Sequence, residues 1–296
     1  MVGVARYRRE YEQEQGLCDR VFTLLGTWLP QLPERRFQAA SLGMVWEQVS
    51  TPFVREAAGQ VVSHVGLLPV DITLGGVRQR IGGVHAVCTR ADRRRRGLYR
   101  SLIEVLLPYA DAHYPWLQLS TDNPEFYEPF GFRVVPYGSF AFAHRHPGGG
   151  RGFRRLSLRA AADIARLRRL LAQRKPHAQV FDFWSEAVFK FNLTAWPSAA
   201  LRYHAGLDLL VIAEVQQGVL YLYDLICART PPLDELLCAF AEPFERVLLS
   251  FRPDRFRVAT TFEPHRAAGD YWLVRGDAVI DALDRVRVAL PPTIRH

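Results

Sequence analysis

The chain has 296 residues, of which 49% are hydrophobic, 12% aromatic and 23% charged, an ordinary globular balance at a length that favours two domains. This composition excludes a disordered or low-complexity chain, and no apolar run approaches the ~20 residues needed to span a bilayer. The formal charge of +8 is carried almost wholly by arginine, with lysine only at Lys175 and Lys190. Its spread over both halves marks out no nucleic-acid face and suits a polyanionic ligand equally well.

The opening segment, MVGVARYRREYEQEQG, lacks the apolar stretch of a signal peptide, so a cytoplasmic location is expected. Cys18, Cys88, Cys227 and Cys238 are scattered, with no Cys-x-x-Cys and no zinc-type histidine spacing. Free thiols and no metal are therefore expected.

Tyr7, Tyr11, Leu17, Val21, Phe22 and Leu25 recur near the helical period and predict a helix over 7–26, with Pro30 and Pro33 interrupting beyond it. Met44–Val49 and Pro52–Glu56 read as strands, Ala58-Gly59 as a turn, and 60–70 as a strong strand continued through a Gly75-Gly76 turn. Val84-His85-Ala86-Val87-Cys88-Thr89 is a buried strand by its apolar, β-branched character. Arg90-Ala91-Asp92 then leads into four arginines, Arg93 to Arg96, closed by Gly97. Leu98, Leu102, Ile103, Leu106, Tyr109 and Ala110 share one face of the helix that follows.

A strand, a basic loop closing on glycine and a helix start together form an anion-binding device. The free N–H groups of the first turn and the helix dipole face the ligand, and arginine adds charge-assisted bonds. Four arginines before a helix also occur as a plain solvated charge run. Basic side chains at a helix N-terminus oppose the dipole, however, which favours an anion there.

Pro115–Ser120 predicts a short, parallel, buried strand, and Asn123–Phe132 an aromatic turn before strands at 132–136 and 139–143. Residues 145–152, rich in glycine, are the clearest linker and place the domain boundary there, giving units at 1–147 and 153–296. In the second half a strand at 153–158 is followed by helices over 161–173 and 183–193. Strands at 200–204, 208–215 and 219–226, a helix over 232–241, and strands at 247–251, 256–262 and 271–274 complete the chain. Hairpin, helix and strand thus recur in the order of the first half.

Arg94-Arg95-Arg96-Gly97-Leu98-Tyr99, after a strand and opening a helix, together with Phe126-Tyr127-Glu128-Pro129-Phe130-Gly131-Phe132, resembles the GNAT superfamily of acyl-CoA-dependent N-acyltransferases. The match covers roughly residues 5–143. The two-part layout is similar to the tandem acetyltransferases related to the enhanced-intracellular-survival proteins, without room for their sterol-carrier-like domain. The fold class so implied is a mixed α/β (α+β) sheet: an N-terminal GNAT fold, then a second, degenerate GNAT-like domain. That second unit lacks a phosphate loop, since Cys227-Ala228-Arg229-Thr230-Pro231-Pro232 has no glycine. Tyr99 departs from the small residue usual at its place in the motif.

The resemblance implies acetyl-CoA as acyl donor, a small-molecule or peptide amine as acceptor, and direct attack in a ternary complex. It assigns the pantetheine arm to Val87, Cys88 and Thr89, and the pyrophosphate to the loop and first turn: Arg94, Arg95, Arg96, Gly97, Leu98, Tyr99 and Arg100. Asn123 is a further candidate for the arm, its other reading being a cap before Pro124. Tyr127 is the candidate acid for the departing thiolate, its other reading being a core aromatic. Cys88 as a nucleophile is a rival that needs an activating neighbour. His85 is the candidate base, against a buried structural histidine, with His64, Glu47, Glu56 and the carboxylate of His296 as further candidates. Trp184, Tyr203, Tyr221, Tyr223, Asp224 and Glu235 are second-half candidates for an acceptor cleft. A non-catalytic acyl-CoA or ligand sensor is the alternative to an enzyme.

Overall fold

A computed structural model describes residues 7–196, 200–265 and 269–294. A single turn at Tyr11–Gln13 precedes α1 (Leu17–Gly26), which starts behind Gly16 in the left-handed region (φ 74°), so the helix predicted over 7–26 is shorter at its N-terminus. α2 (Leu32–Ser41) takes Pro33 into its first turn, where a missing N–H costs nothing. Residues 44–49 form no strand: α3 (Trp46–Val49) is one helical turn. Trp46 donates its indole N–H to the Tyr11 hydroxyl at 3.2 Å and packs edge-on against Phe22 and His85. Burial of that ring overrides the strand propensity of its neighbours.

β1 (Thr51–Ala57), β2 (Gln60–Leu74) and β3 (Val77–Thr89) form an antiparallel meander. Its two-residue turns use positive φ at Ala58 and Gly59 and at Gly75 and Gly76, as tight hairpins require. α4 (Leu98–His113) crosses over to β4 (Leu117–Thr121), which lies parallel to β3. β5 (Arg133–Val134), β6 (Tyr137–His146), β7 (Phe153–Arg155), α5 (Ala161–Gln173), β8 (Phe181–Phe183) and α6 (Glu186–Leu193) follow. The remainder comprises β9 (Leu201–His204), β10 (Leu209–Gln216), β11 (Val219–Ile226), α7 (Leu233–Cys238), β12 (Phe244–Leu249), β13 (Thr261–Pro264), β14 (Tyr271–Arg275), α8 (Asp277–Asp284) and β15 (Val288–Ala289). Phe183, expected to open a helix over 183–193, instead ends β8, which pairs with the edge of β2 at Ile72–Leu74, and the helix starts at Glu186.

The strands form two sheets, so the mixed α/β architecture agrees with the expectation. The first runs β1-β2-β3-β4-β14-β5 with β8 on β2; the second runs β13-β6-β12-β11-β10-β9-β7 with β15 on β6. The linker at 145–152 does not separate them. β6, which precedes it, joins the second sheet, while β8 and β14, which follow it, join the first. β14 inserts between β4 and β5, burying Trp272, Leu273 and Val274, and the Trp272 indole donates to Gln118 at 2.8 Å.

The repeated order seen in the sequence is a repeated fold. β10-β11-α7-β12 copies β2-β3-α4-β4, with β12 parallel to β11, and each hairpin carries a register shift in its second strand. In the first sheet, α4 covers one face through Leu102, Ile103 and Leu106, packed on Phe53, Val65, Leu67 and Val84. α1 covers the other face through Val21, Phe22 and Leu25 against Val54, Val61 and Cys88.

Candidate active site

β3 and β4 are hydrogen-bonded only at Gly82↔Leu117 and Gly83↔Gln118. Gly82 permits this close junction, because a Cβ there would meet Leu117 at 2.5 Å and Tyr114 at 2.9 Å. Beyond it the strands part, leaving Val87–Thr89 without a ladder partner on the β4 side. A bulge reinforces the divergence: His64 pairs with Cys88 but Gly66 with His85, so Ala86 and Val87 oppose Val65 alone. Ala86 sits in the left-handed region (φ 51°), and its carbonyl accepts from His64 Nδ1 at 2.7 Å. An unpaired strand edge inside a cleft is a template for an added extended chain bearing amide groups.

The cleft opens onto the arginine loop and the start of α4. Arg94 Nε donates to the Thr89 carbonyl at 3.1 Å, holding the loop to the end of β3. Arg95 (φ 60°) and Gly97 (φ 72°) are both left-handed, the alternation that makes concave rows of N–H groups. No protein atom lies within 4 Å of a Cβ built on Gly97. The first-turn N–H groups of α4 are free of intrahelical partners and carry the positive end of its dipole.

A cavity of about 980 Å³ joins these elements and is lined by His85, Val87, Cys88, Thr89, Arg94, Arg95, Gly97, Leu98, Tyr99, Arg100, Asn123 and Tyr127. Of the expected set, Arg96 alone is not among the lining residues and stands exposed. Tyr127 is buried and hydrogen-bonded to Thr121; burial pushes its phenol up to about 12, against the opposing effect of that bond. Tyr99, the departure from the motif, stacks edge-on against Tyr127 and Phe130 and donates its hydroxyl to the Phe126 carbonyl at 3.3 Å. Its bulk thus braces the Tyr127 turn. Asn123 donates its backbone N–H to Thr121 Oγ1 at 3.1 Å.

His85 is buried, with Nε2 3.0 Å from Ser50 Oγ and its ring edge-on to Trp46. The ring lies over Gly66, where an added Cβ would come within 2.5 Å of Nε2. Among the described lining residues it is the sole imidazole. Cys88 is a poor nucleophile here: burial raises its thiol above the ordinary value, with Arg94 opposing, and the side chain packs in the α1 core.

Glu47, Glu56 and His64 do not line the cavity. Glu47 pairs with Arg36 at 3.6 Å, Glu56 pairs with Arg20 at 3.1 Å, and His64 is fully buried. The carboxylate of His296 lies outside the described residues. Trp184, Tyr203, Tyr221, Tyr223, Asp224 and Glu235 are also absent from the lining; the second half contributes Val188, Phe191, Asn192 and Asp270 instead. Asp224 has a structural role where β11 parts from β12. It accepts from Arg174 at 2.8 Å and Thr293 at 3.0 Å and contacts His177 at 3.1 Å, filling the place that is open in the first sheet.

Sequence reasoning missed the Ala86 bulge and the far wall, where Trp28, Leu29, Leu32, Met44 and Trp46 line the cavity. The helical spacing of Leu25, Leu29 and Leu32 was the available signal. Among the described residues no group of three His, Cys, Asp or Glu side chains is placed to hold a metal ion. No described helix is long and apolar enough to cross a membrane.

Residues 33–135, from α2 to β5, match the family model described as an acetyltransferase (GNAT) domain. The chain carries a GNAT acetyltransferase domain. No curated protein matches the sequence. Among solved structures, a probable N-acyltransferase from Enterococcus faecalis shares the fold at a TM-score of 0.56 and 14% identity, over 91% of this chain and 71% of that one. Eis1 from Mycobacterium abscessus matches at 0.54 and 16%, over 92% and 73%. A GCN5-related N-acetyltransferase from Kribbella flavida matches at 0.53 and 17%, over 89% and 69%. These likenesses extend past the GNAT domain into the second sheet, so the two-part layout is that of the fold.

Proposed function

We propose that the protein is an acetyl-CoA-dependent N-acetyltransferase that moves an acetyl group to a primary amine by direct attack in a ternary complex. The observation that carries this reading is the parted edge of β3 leading into the left-handed loop and the free N-terminus of α4. That arrangement suits a donor with an amide-bearing arm and a pyrophosphate. The bound donor supplies an activated thioester, whose carbonyl carbon the amine attacks: a C–N bond forms, the C–S bond breaks, and CoA leaves as a thiol.

In this reading Val87, Cys88 and Thr89 hold the arm as an added strand. Arg94, Arg95, Gly97, Leu98, Tyr99 and Arg100 hold the pyrophosphate, with Arg96 adding only longer-range charge. Asn123 lies along the same wall. Tyr127, a phenol protonated at neutral pH and held so more firmly by burial, donates its proton to the departing sulfur. His85 takes the proton released by the amine. We assign this chemistry to residues 1–147 and read 153–296 as a GNAT-like unit without a phosphate loop, contributing β14 and one wall of the cavity.

The test is calorimetric titration with acetyl-CoA alongside a thiol-release assay across primary amines. Saturable binding plus amine-dependent thiol release is expected. Tight binding with no release from any amine makes the protein a sensor and overturns the enzyme reading.

A further inference from the structure

The cavity is chemically two-sided. The wall formed by the loop and α4 is arginine-rich, whereas the opposite wall is apolar: Trp28, Leu29, Leu32, Met44, Trp46 and Phe191. Trp28 is 62% exposed, a large ring at the cavity with little protein packed on it. Trp46 and Phe191 pack at a tilt of 56° with ring centres 5.1 Å apart. The charged group on this wall is a cation, Arg35, which donates to Thr194 Oγ1 at 2.9 Å and lies over the Phe191 ring at 4.8 Å. The acids among the described lining residues are Asp122, beside Asn123, and Asp270, whose carboxylate is 3.3 Å from His265 Nε2.

Resting on the N-acetyltransferase reading, we infer that the acceptor is an arylalkyl primary amine whose ring lies against Trp28, Trp46 and Phe191. Among the described residues a polyamine or amino sugar finds no acidic cluster here, and Arg35 repels any additional positive charge. An aryl body instead removes apolar surface from water on both sides of the contact and meets ring edges and faces at stacking distance. The acceptor nitrogen attacks the thioester carbonyl from this side, losing one proton to the protein as the thiol leaves with another.

The experiment measures thiol release from acetyl-CoA with tryptamine, propylamine, spermidine and glucosamine, and repeats glucosamine with octanoyl-CoA. We expect kcat/KM for tryptamine to exceed that for propylamine at least about tenfold, with spermidine and glucosamine lower still. Trp28→Ala, a change at an exposed ring that removes no core packing, should narrow the tryptamine-to-propylamine ratio at least about fivefold. Spermidine or glucosamine equal to or better than tryptamine overturns the inference while leaving the acetyltransferase reading intact. A gain from octanoyl-CoA with glucosamine that tryptamine does not give with acetyl-CoA assigns the apolar wall to the acyl group and also overturns it. Release from none of the amines overturns both readings.

Discussion

Tyr127 and His64 show how burial gives two ionisable residues opposite uses. Tyr127 keeps its proton at neutral pH and lines the cavity, so it suits an acid; Tyr127→Phe keeps the ring packing against Tyr99 and Phe132 but removes the proton. We expect kcat to fall about 10²-fold or more with acetyl-CoA affinity held within about threefold, measured by steady-state kinetics and calorimetry. Equal turnover removes Tyr127 as the acid. His64 is fully buried, which lowers its value from 6.5 to about 4. The unfolded chain therefore takes up the proton first on acidification. Stability from this residue is complete above pH 6.5 and declines as pH falls towards 4, by about 3 kcal/mol in all. In His64→Asn, urea unfolding should depend less steeply on pH across that window, and an unchanged slope contradicts the assignment. The motif placed Tyr127 in the sequence and strand position put His85 ahead of His64, but no local pattern showed that His64 is fully buried against the Ala86 carbonyl. The bulge that separates them depends on Ala86 in a conformation alanine seldom adopts.

At the scale of elements, the divergence of β3 and β4 makes the cleft, and the loop before α4 gives it an anion-binding end. Gly97→Val tests the loop. No protein atom blocks the new side chain, so the change acts through the left-handed backbone and through whatever occupies the adjoining space. A β-branched residue at positive φ costs about 1–2 kcal/mol, so acetyl-CoA binding should weaken about tenfold. An unaltered dissociation constant ends the loop assignment. Helical spacing located α4 and α5 because each exposes one face and buries the other. It missed α3, a single turn fixed by the burial of Trp46, and α8, whose buried face is formed by Val279, Ile280 and Leu283. The parting of two strands is set by pairing and packing, and no local pattern encodes it.

Across the whole molecule, the two sheets exchange strands: β6 completes the second and β14 the first. The glycine-rich segment at 145–152 looks like a boundary because it is polar and turn-forming, yet the strands on its two sides belong to one sheet. Pairing partners more than 130 residues apart leave no mark in composition. A fragment of residues 1–147 lacks β14, which bridges β4 to β5, and leaves the partners of Trp272 and Leu273 uncovered. We expect it to show poor near-ultraviolet dichroism and non-cooperative unfolding, whereas a cooperative, native-like transition contradicts this account. The exchange also sets an order of events during synthesis. β4 ends at Thr121 and its neighbour β14 at Arg275, so at roughly 5–20 residues per second the nascent chain waits about 8–30 s with that edge of the sheet open. The loop and α4 emerge early, but the cavity wall that includes Phe191 and Asp270 cannot close until the second half has left the ribosome. The cleft becomes complete only as a whole, and a ribosome stalled before residue 270 leaves an exposed strand edge in place of a finished half.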